Sequence, residues 1–392
     1  MSTSTALLAF SLLLPLLLIS PSQASTPPQA SFPNVTGGAS LGELPSNVDL
    51  FDKAKLAKHW IPALFVFGDS LVDSGNNNFL KALAKANYSP YGSTFFGKPT
   101  GRFTDGRTAA DFIAQLNRLP YPPPYLGLLA ERKQIPKTGV NFASGSSGIL
   151  PDTGAGQFLS LDDQIQKFES VVKELRKEFK NQAEFSQHLS KAVFYISTGS
   201  NDYGLGYLFP QTGLSQKFTD KTFAQLLSQQ LTLRLQTLYA MGARKFLVNN
   251  VGAIGCTPAS LNFLKPSTPC DDSRNSLVSV YNDLLPAVLS KLQAELPGSK
   301  FVVSNIFKFF LDIKASPATF HITDTRNNCC VDAAGNGTTQ CKEGQPPCKD
   351  VKTRLFFDAV HPTQSVHYLL VRRCFSDPTI CAPMNLGQLM GA

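Results

Sequence analysis

The stretch Ala63-Leu-Phe-Val-Phe67, followed directly by Gly68-Asp-Ser-Leu71, decides how the rest of the sequence is interpreted. Five consecutive apolar residues, two of them aromatic, are typical of a strand buried on both faces of a parallel sheet. The run ends at Gly68, so Asp69 and Ser70 follow where the strand stops. Ligands of open α/β sheets bind at that carboxyl end, which makes Ser70 a candidate nucleophile. Taken alone, Gly-Asp-Ser more often forms an ordinary turn.

The composition is that of a globular chain with a sizeable core. The 392 residues are 43% hydrophobic, include 29 Phe and are only 16% charged, which excludes a disordered chain and leaves room for one large domain or two smaller ones. The formal charge is +8, but Lys and Arg are dispersed and no nucleic-acid module is present. We therefore expect no nucleic-acid partner; the mildly basic surface suits an acidic polysaccharide or an anionic membrane surface.

The N-terminus resembles a secretory signal peptide. Residues 1–24 carry no charged side chain, Ala6 to Ile19 is a dense apolar run, and small residues stand at Ser22 and Ala24 before a cleavage point. The run is too short to span a bilayer comfortably, and no later segment is long enough, so no stable membrane insertion is expected. The predicted destination is the extracellular space or the cell wall (apoplast).

The remainder divides into a lead-in and one domain. Residues 25–60 are rich in Pro, Ser and Gly and are interpreted as a flexible lead-in, whereas residues 61–385 form the predicted single domain. Asn34, Asn87 and Asn336 begin Asn-x-Ser/Thr sequons and are candidate glycosylation sites.

All eight cysteines lie from Cys256 onward. An even number in a secreted chain predicts disulfides. A zinc site is the alternative, but the chain has no Cys-x-x-Cys pair and only 5 His. Adjacent cysteines are expected to bond to different partners. The predicted pairs are Cys256–Cys270 and Cys374–Cys381, with Cys329 and Cys330 taking Cys341 and Cys348 in either order.

Apolar strands alternate with helical patterns along the domain. After Ala63–Phe67, the predicted strands are Val140–Ala143, Ala192–Ile196, Lys245–Val248 and Phe301–Val303. The predicted helices include Phe79–Ala86, Ala109–Leu116, Leu161–Phe179, a helix from Thr219 or Asp220 to Met241, one from Ser273 to Glu295 interrupted at Pro286, and one starting at Pro362. Repeated βαβ units predict an α/β fold in which a roughly five-stranded parallel sheet has helices on both faces, a three-layer α/β/α arrangement.

Small and polar residues follow three of these strands, at Gly68–Ser70, Ser144–Gly145 and Gly199–Asp202. Near the C-terminus, Asp358 and His361 stand three residues apart, so that the carboxylate can orient the imidazole. These are the two remaining members of a triad in which the serine would be the nucleophile.

Three groups are predicted to form the oxyanion hole, namely the backbone N–H groups of Ser70 and Gly145 and the side-chain amide of Asn201. Each member of the set has an ordinary structural explanation. Asp358 can cap a helix, and Asn201 begins a common turn pair. The ordered set carries the interpretation, because each member falls where a parallel strand ends or the last helix begins.

Four blocks of the chain resemble the plant GDSL esterase/lipase family of the SGNH hydrolase superfamily. They are Phe65-Val-Phe-Gly-Asp-Ser-Leu-Val-Asp-Ser-Gly-Asn-Asn-Asn78, Gly139-Val-Asn-Phe-Ala-Ser-Gly145, Thr198-Gly-Ser-Asn-Asp202 and Phe357-Asp-Ala-Val-His-Pro-Thr363. The linking Gly101-Arg-Phe-Thr-Asp-Gly-Arg107 and Gly255-Cys-Thr-Pro258 also match the plant branch, and the resemblance runs from about Ile61 to Cys381.

The resemblance implies a flavodoxin-like SGNH hydrolase fold with Ser70, Asp358 and His361 as the triad and with Ser70, Gly145 and Asn201 as the oxyanion hole. Gly148 is an alternative to Gly145, because relatives often carry further glycines in this turn. Phe357 replaces a tryptophan found in many relatives, which is expected to alter packing and not chemistry. The predicted domain, residues 61–385, contains no Gly-x-Ser-x-Gly motif of the kind that forms the nucleophile elbow of α/β-hydrolases.

The expected function is a secreted serine esterase or lipase that hydrolyses carboxylic esters without a metal or organic cofactor. The expected substrate is an ester of a lipid, of an acylated or acetylated small molecule, or of a polysaccharide. One alternative is an acyltransferase that resolves the same acyl-enzyme with an alcohol, as in cutin synthesis. The other is a non-catalytic secreted binding protein that keeps the scaffold.

Overall fold

Four parallel strands form the centre of the structure, a computed structural model that describes residues 61–95, 97–154, 156–330 and 340–392. Almost every residue of these strands is buried, as expected for a sheet covered on both faces. Four of the five predicted strands are thus confirmed, whereas the predicted strand Val140–Ala143 forms only isolated bridges at Asn141. The four confirmed strands are β1 (Leu64–Gly68), β2 (Val193–Ser197), β3 (Lys245–Asn249) and β4 (Lys300–Ser304).

Residues 138–144 run beside the free edge of β1. Backbone hydrogen bonds join Leu64 to Thr138 (3.1 Å) and Phe142 to Val66 (2.8 Å), although only one isolated parallel bridge, Val66 to Asn141, is regular enough to count as sheet pairing. With this segment, the order across the sheet is residues 138–144, β1, β2, β3 and β4. Numbered by position in the chain, and not by strand label, this order is 2-1-3-4-5. That is the flavodoxin-like order, in which ligands bind at the carboxyl ends of the strands beside the first strand.

The fifth strand of the central sheet is antiparallel, so the sheet is mainly and not wholly parallel. It is the two-residue β7 (Cys381–Ala382), which pairs with the end of β4. A separate two-stranded sheet consists of β5 (Asp324–Asn328) and β6 (Arg354–Phe356). β6 leads directly into the segment that carries Asp358 and His361.

Helices cover both faces of the central sheet, which gives the predicted three-layer α/β/α arrangement. On one face α3 (Leu161–Arg176), α6 (Asp220–Ala240) and α8 (Asp272–Glu295) pack together. The ring of Phe168 on α3 contacts Phe65 and Phe67 of β1 at centroid distances of 5.1 and 5.7 Å. On the other face α10 (Gln364–Ser376) packs between α1 (Ala109–Leu116) and α11 (Leu386–Gly391). The remaining helices are α2 (Tyr125–Ala130), α4 (Gln182–Lys191), α5 (Leu214–Lys217), α7 (Pro258–Leu264) and α9 (Ile306–Ala315).

The last helix lies beyond the predicted domain boundary at residue 385. Leu389 and Met390 of α11 are buried, and the Lys245 ammonium group at the start of β3 donates a 3.0 Å hydrogen bond to the carbonyl of Met390. The predicted signal peptide (1–24) and lead-in (25–60) lie outside the described residues.

Four disulfides are present among the described cysteines, in pairs that agree with the prediction. They are Cys256–Cys270, Cys329–Cys348, Cys330–Cys341 and Cys374–Cys381. The structure therefore resolves the order that the sequence leaves open for Cys329 and Cys330.

The predicted helix Phe79–Ala86 is wrong. Only a short 3-10 helix forms, at Asn76–Phe79. The side chain of Asn76 donates to the carbonyls of Asn141 and Ala143 at 2.9 and 2.8 Å, so this segment is fixed by tertiary hydrogen bonds and not by helix propensity.

Other helices also differ from their predicted bounds. α6 ends at Ala240 instead of Met241, and α10 begins at Gln364 instead of Pro362. The predicted Leu161–Phe179 helix ends at Arg176, and α4 follows it. The cap of α8 is Asp271 instead of Ser273, and the helix continues through Pro286.

Candidate active site

Ser70 stands two residues after β1, on a tight turn held against β2. The Asp69 N–H donates to the carbonyl of Ser197 at 2.9 Å, and the Asp69 carboxylate accepts the Leu71 N–H at 3.0 Å. Gly68 has a φ of +135°, and a Cβ there would lie 1.9 Å from the Ser197 carbonyl oxygen, so only glycine fits. The turn buries Asp69 and leaves Ser70 partly exposed, as a nucleophile requires. Asp69 therefore braces this turn.

A buried glutamine fixes the start of the same turn. The Gln164 side chain accepts the Gly68 N–H at 2.8 Å and donates to the Gly68 carbonyl at 2.9 Å. It thereby satisfies both backbone groups of the glycine, as a neighbouring strand would. Ser147 donates its hydroxyl to the same carbonyl at 2.8 Å. The sequence did not indicate Gln164, which lies on the buried face of α3.

Ser70, His361 and Asp358 form one continuous hydrogen-bonded chain. Oγ of Ser70 lies 2.7 Å from Nε2 of His361. Nδ1 of His361 lies 2.9 and 2.8 Å from Oδ1 and Oδ2 of Asp358. Asp358 is fully buried, and His361 is 5% exposed. The three residues that the sequence singled out, which are up to 291 positions apart in the chain, are therefore in contact.

The charge on Asp358 determines the tautomer of His361. Burial alone would raise the pKa of Asp358, but the charge of His361 and hydrogen bonds from His361, Tyr91 and Val360 outweigh it, so the pKa lies below its usual value. An ionised carboxylate can only accept hydrogen bonds, so Nδ1 carries the proton. Nε2 is then the acceptor for the Ser70 hydroxyl, which is the arrangement of a general base.

Tyr91 also binds Asp358. Its hydroxyl donates to Oδ2 at 2.6 Å and is buried beneath the site. Tyr91 is not among the predicted site residues. Tyr91 lies 267 positions from Asp358, in an irregular loop without a motif, so no sequence signal points to it.

The two other strand-end segments meet the Ser70 turn. The Asn201 side chain donates one amide hydrogen to the carbonyl of Ser147 at 2.9 Å, which leaves its second hydrogen available. Among the described residues, no acceptor is within hydrogen-bond distance of the Ser70 backbone N–H. The Gly145 N–H instead donates to Oδ2 of Asp73 at 3.1 Å. The Ser70 N–H and the second amide hydrogen of Asn201 therefore remain available as donors, whereas the Gly145 N–H is already hydrogen-bonded.

Asp202 holds the glycine-rich turn in place. Its buried carboxylate accepts the N–H groups of Ile149 and Leu150 at 2.7 and 2.9 Å and the hydroxyl of Thr153 at 2.8 Å. Burial raises the pKa of Asp202 to about 6 despite these donors. The alternative glycine, Gly148, packs against this carboxylate, since a Cβ there would lie 2.5 Å from Oδ2.

The described ranges contain no group of three or more His, Cys, Asp or Glu side chains placed to hold a metal ion. The helices of the described ranges are all too short or too polar to cross a membrane.

Of the candidate glycosylation sites, Asn87 is exposed, whereas Asn34 and Asn336 lie outside the described residues.

Comparison with known proteins gives a consistent result. The family model for GDSL-like lipase/acylhydrolase matches residues 64–373. The chain is 39% identical to GDSL esterase/lipase 7 of Arabidopsis thaliana over 321 residues, which cover 80% of this chain and 88% of that protein. It is 38% identical to GDSL esterase/lipase At1g71691 of the same plant over 333 residues, or 84% of this chain and 85% of that protein.

Proposed function

This chain belongs to the GDSL lipase/acylhydrolase family and is a carboxylic ester hydrolase, and we propose that it is a secreted serine esterase working through an acyl-enzyme on Ser70. The observation that carries the proposal is the 2.7 Å hydrogen bond between Ser70 Oγ and His361 Nε2, with Asp358 behind the imidazole at 2.8 Å. A hydroxyl paired with an oriented base is the arrangement that nucleophilic catalysis needs.

In the first half-reaction, Oγ of Ser70 attacks the ester carbonyl carbon while its proton passes to Nε2 of His361. Asp358 keeps the proton on Nδ1 and stabilises the imidazolium. The tetrahedral intermediate then collapses, the bond to the alcohol oxygen breaks, and His361 donates the proton to the leaving alcohol. In the second half-reaction, His361 activates a water molecule, which attacks the acyl-enzyme and releases the carboxylic acid and Ser70.

The negative oxygen of the tetrahedral intermediate needs donors already aimed at it. We propose the Ser70 N–H and the second amide hydrogen of Asn201 as the two available donors. The Gly145 N–H is the third, and it contributes once its 3.1 Å hydrogen bond to Asp73 is shared with the oxyanion or broken. A neutral amide donor suits the task because it does not hold an anionic product as a cation would.

Secretion is part of the proposal. The charge-free apolar segment at residues 1–24 supports it. Four disulfides also favour an oxidising compartment such as the cell wall or extracellular space. The substrate is proposed to be an ester of a lipid, an acylated small molecule or an acetylated polysaccharide.

Hydrolysis of p-nitrophenyl esters by wild type and Ser70→Ala tests the assignment. Ser70→Ala should lose turnover and labelling by a fluorophosphonate probe while keeping its thermal unfolding temperature. Ser74→Ala is the matched control, because that nearby buried hydroxyl has no hydrogen-bond partner among the described residues. Retained turnover in Ser70→Ala would contradict the proposal. Adding a competing alcohol and analysing for a new ester separates hydrolysis from acyl transfer.

A further inference from the structure

Tyr91 is a buried tyrosine whose hydroxyl lies between the candidate catalytic aspartate and a disulfide-bonded loop. The hydroxyl donates to Oδ2 of Asp358 at 2.6 Å and accepts the backbone N–H of Cys341 at 3.2 Å. Only 1% of Tyr91 is exposed. Both bonding capacities of the hydroxyl are therefore used, and the direction in which its proton points is fixed towards the carboxylate.

The donors around Asp358 are divided between its two oxygens. Oδ1 accepts the backbone N–H groups of Val360 and His361 at 3.0 and 2.8 Å. Oδ2 accepts the Tyr91 hydroxyl, and the imidazole of His361 lies within reach of both oxygens. Among the described residues, Tyr91 is thus the one side chain besides His361 that binds this carboxylate. Without it, only the imidazole would hold Oδ2.

The ring of Tyr91 is itself held in place by aromatic contacts. It packs edge-on against Phe357, the residue before Asp358, at 5.5 Å and against Phe103 at 6.2 Å. Phe103 in turn contacts the His361 ring at 5.1 Å. The same cluster therefore fixes the tyrosine, the carboxylate and the imidazole relative to one another.

Backbone N–H groups of three disulfide-bonded residues, Cys329, Cys330 and Cys341, bind this cluster. Cys341, whose N–H binds Tyr91, is bonded to Cys330. The N–H groups of Cys329 and Cys330 both donate to the carbonyl of Phe357, at 3.0 and 3.1 Å. The loop thus holds Asp358 twice, through the backbone of the preceding residue and through the tyrosine.

We propose that Tyr91 is a positioning residue for the Asp358–His361 pair, which fixes the orientation of the carboxylate and draws part of its negative charge away from the imidazole. The proposal rests on the proposed function, since it presupposes that this pair acts on Ser70. Tyr91 makes no contact with the Ser70 hydroxyl and is not itself catalytic.

The pH dependence of activity reports this role. Removing the hydroxyl concentrates the carboxylate charge on His361, which favours the protonated imidazole. The acidic limb of the kcat/KM profile should then move to higher pH by roughly 0.5–1 unit. The carboxylate also loses a contact that fixes its orientation, so the imidazole is aligned less well with Ser70 and kcat should fall roughly tenfold, as expected for losing one hydrogen bond to a charged group. KM should stay the same, because Tyr91 is buried beneath the site.

The experiment compares Tyr91→Phe with Tyr88→Phe in the whole protein. Tyr88 packs against Tyr91 at 5.4 Å, and its hydroxyl donates to the carbonyl of Cys341 at 2.8 Å, but it does not bind Asp358. Tyr91→Phe should show the shifted limb and reduced kcat, whereas Tyr88→Phe should keep the wild-type pH profile. An unshifted limb in Tyr91→Phe, or equal shifts in both variants, would overturn the proposal.

A second variant decides the matter if Tyr91→Phe does not fold. Replacing Tyr91 by 3-fluorotyrosine keeps its shape and makes the hydroxyl a stronger donor, so the acidic limb should move to lower pH; no movement would overturn the proposal. Fluorophosphonate labelling of Ser70 keeps the two hypotheses apart. Labelling with an unshifted limb refutes only the role of Tyr91, whereas loss of labelling and turnover in the wild type refutes the serine-esterase mechanism.

Discussion

The ring of Phe103 occupies the space that a side chain on Gly145 would need. A Cβ on Gly145 would lie 2.8 Å from Cζ and 3.0 Å from Cε2 of Phe103, and 2.8 Å from Nδ2 of Asn77. Phe103 is buried and also packs on His361 at a centroid distance of 5.1 Å. Gly145 is thus coupled through one aromatic ring to His361.

Gly145→Ala should therefore impair catalysis by displacing Phe103 and tilting His361. Forcing a methyl group into a packed cluster costs about 1–3 kcal/mol, so the free energy of unfolding should fall by that amount and kcat should fall with it. Gly204→Ala is the matched control, since nothing lies within 4 Å of a Cβ there. Steady-state kinetics and urea unfolding of both variants check this. Equal kcat values in the two variants would show that a methyl group at Gly145 does not disturb His361 through Phe103.

Asn201→Ala should reduce kcat by roughly 10²–10³-fold with little change in KM, as loss of one oxyanion donor does. The substitution also removes the hydrogen bond to the Ser147 carbonyl, so a loosened turn must be distinguished from a lost donor. Thr153→Val provides that control, because it breaks a hydrogen bond from the same turn to Asp202 without touching the oxyanion position. If Thr153→Val lowers kcat as much as Asn201→Ala, the oxyanion assignment fails.

The parts of the fold that follow from local sequence were predictable. β1 to β4 are short apolar runs whose burial dictates strand structure, and helix Ala109–Leu116 has the predicted bounds. The contact of Ser70 with His361, and of His361 with Asp358, was also predictable, because Ser70 follows a buried strand and Asp358 and His361 are neighbours in sequence. In each case the deciding signal lies within a few residues.

The parts that depend on distant partners were not predictable. Asn76 bonds to carbonyls 65 and 67 residues away instead of starting a helix. The Gln164 side chain forms hydrogen bonds with the backbone of Gly68, 96 residues away. The Tyr91 hydroxyl binds the carboxylate of Asp358, 267 residues away. These polar side chains are buried because each finds a partner that only the folded chain brings near. A single sequence does not reveal such pairs.

Three buried carboxyl groups should make a contribution to stability that falls as the pH rises from about 4 to 8, opposed below about pH 6.5 by His367, whose pKa burial lowers to about 3. Burial raises the pKa of Asp69 to about 7 and those of Asp73 and Asp202 to about 6. Between the unfolded and folded pKa values, the folded protein holds protons that the unfolded chain has lost, so raising the pH favours unfolding. Their contribution is fully present below pH 4 and is lost as the pH passes 6 to 7.

Urea unfolding at pH 5, 6, 7 and 8 measures this trend, and Asp69→Asn assigns part of it. The asparagine oxygen can still accept the Leu71 N–H, and its uncharged amide resembles the protonated acid. The variant should therefore lose less stability than wild type between pH 6 and 8. An Asp69→Asn variant that loses as much stability as wild type between pH 6 and 8 would show that Asp69 is already ionised in the folded protein at pH 6.

Removing the Cys330–Cys341 disulfide should damage catalysis more than removing Cys374–Cys381. Each paired Cys→Ala variant should lose about 2–4 kcal/mol of stability, a typical value for a disulfide. Only the first bond holds the loop that binds Tyr91 and the carbonyl of Phe357, whereas the second lies at the far end of α10.

We accordingly expect the Cys330→Ala/Cys341→Ala variant to show a lower kcat and an acidic limb moved to higher pH, the direction expected for Tyr91→Phe. The Cys374→Ala/Cys381→Ala variant should lose stability with an unchanged pH profile. Kinetics at a temperature where both variants remain folded by circular dichroism make the comparison. Identical pH profiles in the two variants would mean that the loop contributes to folding alone, and that the Asp358–His361 pair keeps its geometry without it.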